Sequence, residues 1–133
     1  MHPSRTQVAQ RCLSSAYDGT LDFPAIVRTL MEAGFESYHV DYRRERAVYY
    51  TPEGESVELE LPGDEVAVAA EFDAAVVEQA VRWAQRNAPG YTYAGFGRKV
   101  KAAGCAGYTV SFLGRRVVYH GRTAETHVEH FPR

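Results

Sequence analysis

Of the 133 residues only two are cysteine, Cys12 and Cys105, one is tryptophan, and the formal charge sums to just −2. Two cysteines far apart in sequence make no disulfide framework, so a reducing, cytoplasmic setting is expected. The lack of excess positive charge removes the footprint that nonspecific nucleic-acid binding needs, which makes nucleic acid an unlikely partner by charge. No run is long and apolar enough to span a bilayer, and no secretory hydrophobic region or lipidation motif is present, so no membrane association is expected. No stretch is of low complexity, and no spacing spells a catalytic or metal signature. Neither a metal nor a cofactor is expected.

What the chain has instead is tyrosine and a repeat. Nine Tyr stand against the single Trp, and Tyr suits half-buried sheet faces because its ring packs while its hydroxyl keeps a polar partner. When the sequence slides by 70 positions, residues 26–62 fall on 96–132 without a gap. Ten pairs are identical there: Arg28/Arg98, Ala33/Ala103, Gly34/Gly104, Tyr38/Tyr108, Val40/Val110, Arg46/Arg116, Val48/Val118, Tyr49/Tyr119, Glu55/Glu125 and Pro62/Pro132. Average composition gives roughly two by chance. Such self-similarity is the mark of a repeated supersecondary unit.

The unit is legible in the first copy. Residues 4–17 read as an amphipathic helix with Ser4 or Thr6 as its N-cap, a stripe of Val8, Cys12, Leu13, Ala16 and Tyr17, and a stop at Asp18-Gly19. A second helix is capped by Asp22, carries Pro24 in its first turn, presents Ile26, Val27, Leu30 and Met31, and ends at Gly34. The period then changes to two: Tyr38, Val40 and Tyr42 alternate with His39, Asp41 and Arg43. A turn at residues 43–46 leads into a strand over 47–51. Pro52-Glu53-Gly54 forms a three-residue hairpin loop, and Val57, Leu59 and Leu61 alternate with glutamates in the third strand.

A connection with a weakly alternating, extended piece at Val66, Val68 and Ala70 follows. In the second copy Asp73 caps a helix over 74–87, a helix near Thr92 is apolar at Tyr93, Phe96, Val100 and Ala103, and strands are predicted at about 107–113, 116–121 and 125–131. Each copy alone has too little core to be stable. The expected fold is therefore α+β: one domain over residues 1–133 made of two tandem helix-helix-three-stranded-meander repeats, about 4–62 and 73–132, packed around a pseudo-twofold axis.

The run Gly114-Arg115-Arg116-Val117-Val118-Tyr119, then Gly121-Arg122 and Glu125-Thr126-His127-Val128-Glu129-His130-Phe131-Pro132, with Ala33-Gly34 and Tyr38-His39-Val40-Asp41, resembles the YbcV-like family. These are small bacterial and prophage-encoded proteins of unknown function, sometimes described as phage envelope proteins. The resemblance implies no catalytic residues. It does imply a phage structural or accessory role as one alternative.

Several residues are candidates for chemistry. Cys105 follows a helix stop as a nucleophile would, yet its counterpart is Phe35, which marks a core position where a thiol is a small hydrophobe. His39 and Asp41 share a strand face, which suits acid-base work, but also suits a solvated face whose other copy carries Thr109 and Ser111. Arginines at the turns (Arg43, Arg44, Arg46, Arg115, Arg116 and Arg122) can converge on an anionic ligand, because guanidinium binds carboxylate and phosphate bidentately. The sharpest departure from the repeat is in the last strand, where Val57 and Leu59 become His127 and Glu129. A strand that only packs has no use for a half-buried charge.

A ligand site is therefore expected among His127, Glu129, Tyr119, Tyr108, Arg46 and Arg116. A three-residue loop at Arg122-Thr123-Ala124 would set Tyr119 opposite His127 and turn His120 to the other face, which argues against zinc held by His120, His127 and Glu129. The functional expectation is a non-enzymatic binding or interaction module for a small anionic ligand or a partner protein. The alternative is a small hydrolase- or isomerase-type enzyme using His127, Glu129 and Tyr119.

Overall fold

A computed structural model of the chain describes residues 1–132. Proline opens the first helix: Pro3 stands where a missing N–H costs nothing, and His2, rather than Ser4 or Thr6, is the N-cap, its Nδ1 accepting from the Ser4 N–H at 3.1 Å. Asp22, Asp73 and Thr92 cap the other three helices with side-chain oxygens. The elements run α1 (Pro3–Asp18), α2 (Phe23–Glu32), β1 (Ser37–Asp41), β2 (Arg46–Tyr50), β3 (Ser56–Glu60), α3 (Ala74–Gln85), α4 (Tyr93–Ala102), β4 (Cys105–Ser111), β5 (Arg116–Gly121) and β6 (Thr126–His130). The fold is α+β, and the order of elements gives two helix-helix-meander halves. Both helix stops are glycines with left-handed backbone, Gly34 at φ +99° and Gly104 at φ +89°, as the repeated Ala-Gly pair predicts.

The strands form one antiparallel sheet in the order β3-β2-β1-β4-β5-β6. The halves join through β1 and β4, and the register there is symmetric. His39 faces Thr109, Tyr38 faces Val110 and Val40 faces Tyr108. Since 39 and 109 are themselves repeat partners, exchanging the copies maps the pairing onto itself, and the pseudo-twofold axis passes between His39 and Thr109. The sheet continues past both strand ends in matching fashion, through Tyr42 N–H to Ala106 O and Phe112 N–H to Glu36 O.

Alternation sorts the side chains. Tyr38, Val40, Ala47, Tyr49, Leu59, Tyr108, Val110, Val117 and Tyr119 point under the helices and join Leu30, Val77, Phe96 and Val100 in one core. On that face Tyr49–Tyr38 and Tyr108–Tyr119 are contacting pairs, each with ring centroids 5.3 Å apart. Four helices on one face leave the other face, with His39, Val48, Thr109, Val118 and His120, uncovered.

The stripes of α1 and α3, outside the aligned 26–62 and 96–132, are related by 68 positions: Ala9, Cys12 and Leu13 are buried in one, and Val77, Ala80 and Val81 in the other. The longer link from α3 to α4 absorbs the difference. Residues 66–70 form no strand; the connection instead crosses the end of α4, where the Ala69 N–H donates to Lys101 O. Met31 is 52% exposed, whereas its counterpart Lys101 is 2% exposed. Among the described residues no helix is long and apolar enough to cross a membrane.

Candidate functional site

The six residues singled out in the sequence fall on two faces of the sheet. Tyr108, Tyr119, His127 and Glu129 lie on the helix-covered face, and Arg46 and Arg116 lie on the open one. The arginines also diverge. Arg46 pairs with Asp41, which faces Gly107, whereas Arg116 pairs with Ser111, which faces Ser37, at the other end of the β1–β4 ladder. The antiparallel symmetry that relates the halves thus sends equivalent turns to opposite ends of the sheet. Local partners engage these groups as well: Arg44 and Arg46 lie beside Glu58 and Glu60, Arg115 donates to Pro132 O, and Arg122 to Val68 O.

The hairpin register of the last two strands is the predicted one, with Tyr119 opposite His127 and His120 opposite Thr126. His127 Nε2 lies 2.5 Å from Glu129 Oε2, and Arg82 of α3 donates from Nη1 to Glu129 Oε1 at 2.9 Å and from Nη2 to Glu78. Burial pushes the Glu129 carboxyl up. Hydrogen bonds from Arg82 and His127, with their charges, outweigh it and hold the carboxyl below its ordinary range. The apolar pair of the first copy is thus replaced by an ion cluster whose partner comes from a helix. Tyr119 beside it is only 6% exposed.

Cys105 is fully buried, and burial, ahead of its backbone hydrogen bonds, pushes its thiol up to about 11, so it is a protonated core group at neutral pH. His39 accepts or donates at Nδ1 with Thr109 Oγ1, 2.8 Å away, and its ring stacks on His120 with centroids 5.7 Å apart. Burial and the neighbouring His120 lower its pKa against the pull of Asp41.

A cluster that the sequence reading passed over stands out in the interior. Lys101 Nζ donates to Asp64 Oδ1 at 2.8 Å, lies 3.5 Å from Glu45 Oε1, and sits 5.7 Å from the centroid of the Tyr42 ring. Beside it is a cavity of about 80 Å³ walled by Tyr17, Tyr42, Glu45, Asp64, Gly97 and Arg98, among others. Among the described residues the Tyr42 hydroxyl is buried without a hydrogen-bond partner. A Cβ added at Gly97 would stand 3.7 Å from that oxygen. Burial pushes the Tyr17 phenol up to about 12, with Glu45 and Asp64 adding to it, so it remains a donor. Burial raises the Asp64 carboxyl too, but bonds from Lys101 and the Val66 N–H, with the Arg98 charge, bring it below the usual range.

The site was nonetheless written in the repeat. Tyr42, Glu45, Gly97 and Lys101 correspond to Phe112, Arg115, Val27 and Met31. A hydroxyl, a carboxylate, a void and an ammonium stand where the other copy has an aromatic ring, a cation and two aliphatic chains. The pair Met31/Lys101 was the available signal. It was hidden because a lysine on a helix reads as solvated unless the connection that covers it is known.

A comparison with curated proteins finds no match. One protein-family model covers residues 14–129, from the last turns of α1 to β6, and its description assigns no activity. The chain belongs to that family, described as a protein of unknown function (DUF1398).

Proposed function

We propose that the protein is a non-enzymatic binding module that holds a small polar molecule in the cavity beside Lys101. One observation carries this reading: of the six cavity positions inside the repeat, four, at 42, 45, 97 and 101, lose its symmetry in a way that changes charge, polarity or volume. An unpartnered buried hydroxyl is costly where the other copy has the buried ring of Phe112, and a buried ammonium is costly where the other copy has the exposed Met31. A bound molecule offsets part of that cost by giving the Tyr42 hydroxyl a partner. The free, buried thiols of Cys12 and Cys105 suit a reducing compartment such as the cytoplasm.

The enzyme alternative rests on the close contact between His127 and Glu129. Arg82 on the second carboxylate oxygen and the burial of Tyr119 favour charge pairing over substrate binding there. The phage-associated role rests on the YbcV-like resemblance alone.

Thermal-shift screening against a panel of small polar metabolites tests the reading, since a ligand of the folded state raises Tm. At least one compound is expected to raise the Tm of the wild type and to have no effect on Gly97→Val, in which the side chain of the other copy fills the cavity. An equal response of the two proteins to every compound would count against it.

A further inference from the structure

The charges that wall the Lys101 cavity sum to zero. Lys101 and Arg98 supply two cations, and Glu45 and Asp64 two anions. Lys101 is already engaged, at 2.8 Å from Asp64 and 3.5 Å from Glu45. Both hydrogen bonds to Asp64, from Lys101 Nζ and the Val66 N–H, fall on Oδ1, which leaves Oδ2 as an acceptor. The Glu45 contact with Lys101 likewise uses Oε1 and leaves Oε2. The donors among the lining residues are the Arg98 guanidinium and the Tyr17 and Tyr42 phenols. Tyr17 is kept protonated by its surroundings, and Tyr42 has no partner among the described residues.

Resting on the cavity as the binding site, we infer that its ligand is a small zwitterion, with an ammonium and a carboxylate joined by one or two carbons. A ligand of net charge would bring an uncompensated charge into a neutral, partly enclosed wall, where desolvation outweighs the attraction. A zwitterion brings none. Its ammonium meets Glu45 and Asp64, its carboxylate meets Arg98 and the phenols, and each contact is charge-assisted, about twice as strong as a neutral hydrogen bond. Size sets the upper limit. A cavity of about 80 Å³ has room for a few waters or roughly five heavy atoms, the size of glycine.

Calorimetric titration of the full chain with glycine, acetate, methylammonium and acetamide tests this, because none of the four is larger than glycine and only glycine carries both charges. Glycine is expected to bind at least about tenfold more tightly than the other three, a difference of about 1.4 kcal/mol. Gly97→Val should abolish that binding. Tyr42→Phe, which keeps the ring and removes only the hydroxyl, should weaken it and guards against a Gly97→Val chain that fails to fold. Acetate, methylammonium or acetamide binding as tightly as glycine would overturn the zwitterion while leaving the cavity as a binding site. Failure of all four on the wild type would also overturn it, and the binding-module reading would then depend on the wider metabolite panel. Glycine binding undiminished in both variants would place the ligand elsewhere and contradict both.

Discussion

Residue 124 is an alanine at φ +65°, in the turn position where the first copy has Gly54 at φ +87°. A left-handed backbone costs an L-residue about 1–2 kcal/mol, and nothing would meet a Cβ at Gly54 within 4 Å, so the two turns differ in strain and little else. Ala124→Gly is expected to stabilise by about 1 kcal/mol and Gly54→Ala to destabilise by about as much, as read by urea denaturation.

The helix-stop glycines separate in a different way. A Cβ on Gly34 would stand 2.8 Å from the end of the Arg5 side chain, with no backbone atom among its three nearest neighbours, so Gly34→Ala should cost about 1 kcal/mol. On Gly104 it would stand 1.8 Å from the Glu71 carbonyl oxygen, and Gly104→Ala must displace the connection as well. Its cost should be clearly the larger. Both glycines were legible in sequence because a helix stop is local chemistry. Lys101 was not, because its burial depends on Asp64, 37 positions away.

At the scale of elements, the alternation of Tyr38, Val40 and Tyr42 with His39, Asp41 and Arg43 separated a buried face from a more open one. It could not say what would cover the odd positions His127 and Glu129, since Arg82 comes from a helix 47 residues earlier. Replacing them with the residues of the first copy, His127→Val with Glu129→Leu, exchanges an ion cluster for apolar burial. The double variant should be neutral to about 2 kcal/mol more stable at neutral pH.

The pH dependence gives a second readout. Because the folded-state pKa of Glu129 is depressed, its contribution is present above the unfolded value of about 4.3 and is lost as pH falls through the folded value. Acidification below about pH 4.3 should therefore destabilise the wild type more than the double variant. Tyr17 acts at the other limit. With its pKa raised to about 12, its contribution is full below the unfolded value of about 10 and lost as pH rises toward the folded one. Tyr17→Phe should flatten the alkaline loss.

For the whole molecule, the repeat announced two similar halves, yet whether they share one sheet is a question of long-range register, which local periodicity does not encode. The answer is the symmetric β1–β4 ladder centred on His39 and Thr109. That ladder also explains why the turn arginines, equivalent in sequence, do not converge on one ligand. A fragment ending at Pro62 would expose β1 as an edge and lose α4 from above Tyr42, and its circular dichroism should lack a cooperative thermal transition.

The same symmetry makes the Lys101 cavity conspicuous as the place where the halves differ in charge, hydroxyl content and filled volume. Its standing as a binding site is tested most directly by following backbone amide NMR shifts while titrating the solute that most raises the wild-type Tm. Saturable shifts concentrated at Gly63, Asp64, Gly97, Arg98 and Lys101 are expected. Shifts centred instead on His39, Thr109 and Val118 of the open face, or on His127 and Glu129, would contradict it.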